Sequence, residues 1–155
     1  MDYFMKYVLL LSLLITTTGC ISMNPPEAPR REEIFRAPLQ QVWLATERAL
    51  ANYPIAESNI DAGLLKTDYL RGPSCWTSPI VKEKYSSGVR CSLSFQFVTI
   101  PGSGTRVRIT KTLEMVRDFV AEPEQLPSDG LEELSILYRI DRELSVAKDL
   151  SRKSK

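Results

Sequence analysis

From Val89 to Phe97 the chain alternates: Val89, Cys91, Leu93, Phe95 and Phe97 are apolar, and Arg90, Ser92, Ser94 and Gln96 between them are polar. Side chains of an extended strand point to opposite faces with a period of two, so this segment makes a strand with one dry and one wet face. Pro101-Gly102-Ser103-Gly104 supplies a turn, and Val107, Ile109, Leu113 and Met115 resume the alternation on the return. The chain must therefore build a long antiparallel hairpin with one apolar face, and the remaining elements must cover that face. Lys111 falls on the apolar parity, which predicts a bulge or the sheet edge at that point.

Two helical segments can supply the cover. Pro38 suits a first helical turn, and Leu39, Val42, Trp43, Thr46, Ala49 and Leu50 recur at helical spacing, predicting a helix over 38–52 with Trp43 in the core, ended by Tyr53-Pro54. Asp129 and Glu132 form a capping-box pattern, with Glu132 and Glu133 as charges at a helix start. Beyond them Leu131, Leu134, Leu137, Ile140, Leu144, Ala147 and Leu150 form an apolar stripe. Short strands are expected at Ile34–Arg36, Ile55–Ile60 and Leu64–Leu70, the last two joined by a turn at Asp61-Ala62-Gly63. The expected fold is α+β: an antiparallel sheet of about four to five strands with two helices packed on one face.

The N-terminus reads as a processed leader. Tyr7 to Ile15 is an apolar stretch of nine residues. As a helix it covers about 14 Å against a hydrocarbon core of about 30 Å, too short to span a bilayer. Small residues ending in Gly19-Cys20 follow, and this resembles the lipobox of bacterial lipoproteins, with Thr17 where Leu is usual. The resemblance implies a signal peptide over 1–19 and lipid on Cys20. Ile21, in place of an Asp that would retain the protein at the inner membrane, implies the periplasmic leaflet of the outer membrane. A Pro-rich tether completes 20–33, a single domain is expected over 34–150, and a basic tail over 151–155.

Composition excludes several functions. With 20 Lys+Arg against 19 Asp+Glu the chain has no general field for nucleic acid. It has no histidine, which removes His triads, HExxH zinc sites and imidazole bases. Walker A, CxxC, EF-hand and GxSxG patterns are absent from the sequence. No catalytic, cofactor or metal-ligating residue is assigned, and the chain reads as a binder and not an enzyme.

The mature sequence IFRAPLQQVWLATERALANYPIAESNIDAGLLKTDYL resembles the helix-grip domains of BamC-type lipoproteins, accessories of the outer-membrane β-barrel assembly machinery. The pattern is Pro38 and Val42-Trp43 opening the first helix, the Ile55 strand, Gly63-Leu64-Leu65-x-Thr67-Asp68-Tyr69, the Gly104–Val107 return and the closing helix. The resemblance implies a helix-grip fold and envelope or barrel-assembly proteins as partners, beside the membrane that holds the lipid. Members carry two such domains and a long N-terminal segment that lies on a partner. This chain has one domain and a 13-residue tether, so that binding mode does not carry over.

Cys75 and Cys91 remain once Cys20 is assigned to lipid. In an oxidising periplasm they are read as a disulfide; otherwise Cys91 is an apolar core residue and Cys75 an exposed thiol. Arg71 to Gly88 is a long aperiodic segment containing Trp76 and Tyr85. Trp76 is either a partner anchor or a cap on the open end of the sandwich. Arg90, Arg106 and Arg108 share a sheet face that either receives an acidic partner or is simply the solvated side. These five residues are the candidate partner-binding set. The alternative function is a small-ligand or lipid carrier, which requires an apolar pocket of several hundred Å³ between the last helix and the sheet. The binder reading expects Leu93, Phe95, Phe97, Leu137 and Leu144 to fill that space.

Overall fold

The computed structural model describes residues 31–80, 84–117 and 122–153. The expected signal peptide, the expected lipidation site Cys20 and the expected tether up to residue 30 lie outside the described residues, as do the last two residues of the expected basic tail. Along the chain run β1 (Glu32–Phe35), α1 (Leu39–Ala49), β2 (Ile55–Asn59), β3 (Leu64–Thr67), β4 (Leu70–Arg71), a 3-10 turn (Gly72–Ser74), β5 (Val89–Ile100), β6 (Gly104–Met115), β7 (Glu124–Gln125) and α2 (Leu131–Lys153). The strands form one open antiparallel sheet of seven strands in the order β1-β6-β5-β3-β2, with β4 beside β5 and β7 beside β6. The fold is α+β, with both helices over one face.

The sheet exceeds the expected four to five strands because β4 and β7 have two residues each, too short to show a period. β1 starts at Glu32 where sequence suggested Ile34, and the Ile109 N–H donates to the Arg31 carbonyl at 2.8 Å, so the pairing reaches into the expected tether. α2 continues to Lys153, through most of the basic tail. The β5–β6 ladder is unbroken from Val89↔Met115 to Ile100↔Gly104. Lys111 therefore marks no bulge: it stands opposite Leu93 and points inward, 7% exposed.

Two turns depend on glycine. Gly63 has φ +63°, and its carbonyl accepts from the Phe97 N–H at 2.9 Å where the β2–β3 turn meets β5. Gly104 has φ +117°, and a Cβ there would run into the Phe35 carbonyl oxygen.

The inner face of the hairpin is covered in two parts. Leu93, Phe95, Phe97, Val107 and Ile109 pack with Val42, Trp43, Leu50, Ile136, Leu137 and Ile140 of the helical layer. Trp43 lies against Phe97 with ring centroids 4.8 Å apart, as its helical register predicts. Past Lys111, Val89, Cys91 and Leu113 form a second cluster with Cys75, flanked by Leu70, Tyr85, Met115 and Leu126. Cys75 and Cys91 sit at disulfide distance, Cα atoms 5.9 Å apart, and tie the 72–88 connection to β5.

α2 departs from its expected stripe. Its buried residues are Glu132, Glu133, Ile136, Leu137 and Ile140, whereas Leu131 and Leu134 are each 42% exposed. The helix is turned so that two carboxylates read from the sequence as helix-start charges are buried. The capping box is also replaced: Asp129 Oδ1 accepts the Leu131 N–H at 3.0 Å, and Ser128 Oγ accepts the Gly130 N–H at 3.1 Å while donating to Glu133 at 2.9 Å. Glu132 is thereby free of capping and reaches across to the sheet.

Candidate functional site: a sealed ion pair and an end groove

The Lys111 ammonium and the Glu132 carboxylate meet at 2.7 Å with both side chains only 2% exposed. Lys111 Nζ also donates to the Trp76 carbonyl at 3.3 Å and lies 5.9 Å and 5.7 Å from the Trp76 and Tyr85 ring centroids. The Tyr53 hydroxyl donates to Glu132 Oε1 at 2.7 Å, and the Arg139 guanidinium lies 5.9 Å from the Tyr53 ring centroid. Burial, reinforced by the neighbouring Glu132 charge and hydrogen bond, pushes the Tyr53 phenol up to about 12. The space between Tyr53, Lys111 and Glu132 has no room for a water molecule. Opposite charges in such a place neutralise each other and have no route to a substrate. The cluster joins the helix-covered half of the sheet to the loop-covered half.

Trp76 and Tyr85 are thus half-buried flanks of Lys111 on the inner side of the sheet. Arg90, Arg106 and Arg108 lie on the opposite, outer side. Arg90 pairs with Glu114 at 2.6 Å and stands 4.5 Å from the Tyr69 ring centroid. This guanidinium, helped by the Gln125 amide, holds the Glu114 carboxyl below its ordinary range against the opposing effect of burial. Arg108 pairs with Glu32 at 2.7 Å. Arg106 has no ion-pair partner among the described residues and stands in register between Val98 and Ile34, which are 46% and 50% exposed. The five candidate residues therefore do not form one site, and two of the three arginines are engaged within the chain.

An open concavity lies at the far end of the helical layer. A groove of about 770 Å³ runs between α1, the C-terminal half of α2 and the β1 strand with its exit. Leu44, Ala45, Leu144 and Ala147 supply its apolar floor, and Glu33, Arg36, Arg48, Asp141, Glu143 and Lys148 its charged walls. Partial burial and the Asp141 charge raise the Glu33 carboxyl above its ordinary value. The groove exists because α2, at 23 residues, runs past the 11-residue α1. Periodicity shows both lengths but not where their ends fall relative to each other, so sequence reading missed the groove. Lys111 on the inward parity was the one signal for the ion pair.

The interior itself is filled. Leu93, Phe95, Phe97 and Leu137 are no more than 6% exposed; Leu144, expected with them, is partly buried against the same core and also lines the groove. No helix among the described residues is long and apolar enough to cross a membrane. The chain matches no protein-family model and no curated protein.

Proposed function

We propose that this chain is a BamC-like outer-membrane lipoprotein, anchored through Cys20 and facing the periplasm, whose helix-grip domain binds an envelope protein and performs no catalysis. The observation that carries the reading is the contrast between a packed interior and an open end groove with an apolar floor and walls of both charges. A carrier needs an enclosed apolar cavity, whereas a groove of this composition suits a segment of a protein. The titratable cluster at Lys111 supports a structural role, because it is sealed and charge-balanced. The lipobox-like sequence supports the anchor, and the helix and strand pattern supports the BamC-type assignment.

Photo-crosslinking from position 44 in intact cells tests the binding. Recovery of barrel-assembly or other envelope proteins, lost with Leu144→Arg, is the expected result; co-purifying lipid with no protein adduct would overturn it in favour of a carrier. Cys20→Ala tests the anchor separately and is expected to release the protein into the soluble periplasm. Retention in the membrane fraction would refute lipidation.

A further inference from the structure

The chain enters the fold at a fixed point. The Arg31 carbonyl accepts from the Ile109 N–H at 2.8 Å, and the Arg31 guanidinium donates to the Ser128 carbonyl at 3.1 Å and lies 3.6 Å from the Glu133 carboxylate. Ser128 stands just before α2 and Glu133 in its first turn, so β1 begins where α2 begins. At its other end β1 leads into Arg36 and Ala37, which line the end groove with Leu144 and Lys148 of α2. The two elements therefore run side by side in one direction, with the chain's entry at one end and the groove at the other. The entry end carries a convex apolar ridge. Leu131, Leu134 and Tyr138 follow one another at helical spacing on the outer side of α2, exposed by 42%, 42% and 70%. Arg142, one turn beyond Tyr138, is exposed and has no ion-pair partner among the described residues.

We propose that this ridge rests on the lipid surface that holds the anchor, so that the domain stands on the start of α2 with its groove directed away from the bilayer. The proposal rests on the anchoring at Cys20 and adds an orientation to it. Ten residues separate Cys20 from Arg31. Fully extended, those eleven steps span about 38 Å, little more than the length of α2 itself, about 35 Å for 23 residues. The entry end is thus never farther from the bilayer than about one helix length, and a tether this short keeps the ridge beside lipid at high effective concentration. The outer side of a single helix is convex and gives a protein segment no pocket to fill. Against a bilayer the same residues are well placed: leucines enter the boundary between headgroups and acyl chains, a tyrosine sits with one apolar and one wet end at headgroup level, and a guanidinium meets the phosphates. The middle of the groove lies about ten residues farther along α2, about 15 Å by helical rise, which lifts it clear of the headgroups and within reach of a periplasmic segment.

The test uses the mature lipoprotein in vesicles of phosphatidylethanolamine and phosphatidylglycerol, with a fluorescent non-natural residue at position 131 or, in the groove, at position 148. Spin-labelled lipid is expected to quench the dye at 131 several-fold more than the dye at 148. The double variant Leu134→Glu with Tyr138→Glu is expected to bring quenching at 131 down to the level at 148, with circular dichroism and flotation with the vesicles unchanged. Flotation with equal quenching at the two positions, or quenching at 131 indifferent to the double variant, would overturn the ridge contact and leave the anchor standing. Failure to float would overturn the anchor and this proposal with it. Photo-crosslinking from position 134 in intact cells is expected to yield lipid adducts, and a protein adduct in their place would overturn the proposal.

Discussion

Replacing Lys111 by Met tests how the two halves of the domain are joined. The variant keeps the length and apolar stem of the side chain but removes the ammonium that sits 2.7 Å from Glu132. Glu132 remains 2% exposed with the Tyr53 hydroxyl donating to it, so an uncompensated carboxylate is stranded in a gap that admits no water. Removing one member of a buried pair costs about 3–5 kcal/mol, and the near-complete burial of both partners places this pair at the upper end. For a domain of this size, with a urea dependence of about 2 kcal/mol per molar, the unfolding midpoint should fall by about 2 M. Equilibrium urea unfolding followed by tryptophan fluorescence suits the measurement, since Trp43 lies in the helical core and Trp76 lies beside Lys111. The double variant Lys111→Met with Glu132→Gln removes the stranded charge while keeping an acceptor for Tyr53, and should recover most of the loss. A loss below about 1 kcal/mol in the single variant, or no recovery in the double, would refute the reasoning.

Three further outcomes follow from named contacts. The Tyr53 phenol titrates near 12 when folded against an ordinary 10, so the folded state holds this proton more tightly and stability should fall as pH rises from 10 towards 12. Tyr53→Phe should flatten that part of the pH–stability curve and cost about 1–2 kcal/mol at neutral pH by taking a donor from Glu132. The depressed Glu114 carboxyl contributes stability above the ordinary carboxylate range and loses it as pH falls; Arg90→Ala should therefore be less stable than wild type at pH 7, and the difference should shrink once Glu114 is protonated, leaving the part due to the Tyr69 ring contact, by the same unfolding assay. Reducing the Cys75–Cys91 link, or replacing both residues by Ser, opens a 16-residue separation worth about 3 kcal/mol, and should raise hydrogen exchange in 72–88 and the start of β5 before it does so in α1.

The hairpin, both helices and the general architecture were legible because each rests on a period carried over many residues. β5 and β6 alternate over 12 residues each, and α1 places Val42, Trp43, Thr46 and Ala49 inward as spaced. What failed were features whose logic is local or three-dimensional. In α2, counting Leu and Ile put Leu131 and Leu134 inside, but the first turn is oriented by Glu132 reaching Lys111 and Glu133 reaching Ser128, partners 21 residues away and five residues away. A hydrophobic pattern cannot represent a carboxylate that is inside because its counter-ion is there. The five candidate partner residues were grouped by exposure and residue type; the ladder register separates Trp76 and Tyr85 from the three arginines by the thickness of the sheet. The end groove depends on the unequal reach of two helices, and no single segment encodes it.

The buried Lys111 bears on how the hairpin finds its pairing. A one-residue slip of β5 against β6 turns an apolar face to water and is rejected at once, but a two-residue slip keeps every side chain on its proper face. The long alternation is therefore ambiguous by steps of two. Only one inward position on β6 carries a full charge, and only the observed alignment, with Leu93 across from it, sets that charge under Glu132 between the two apolar clusters. Any slipped alternative would carry the ammonium past the helix start or leave it facing the wrong cover. The ion pair then acts less as a source of stability than as an index mark, making one of several equally greasy alignments the only tolerable one.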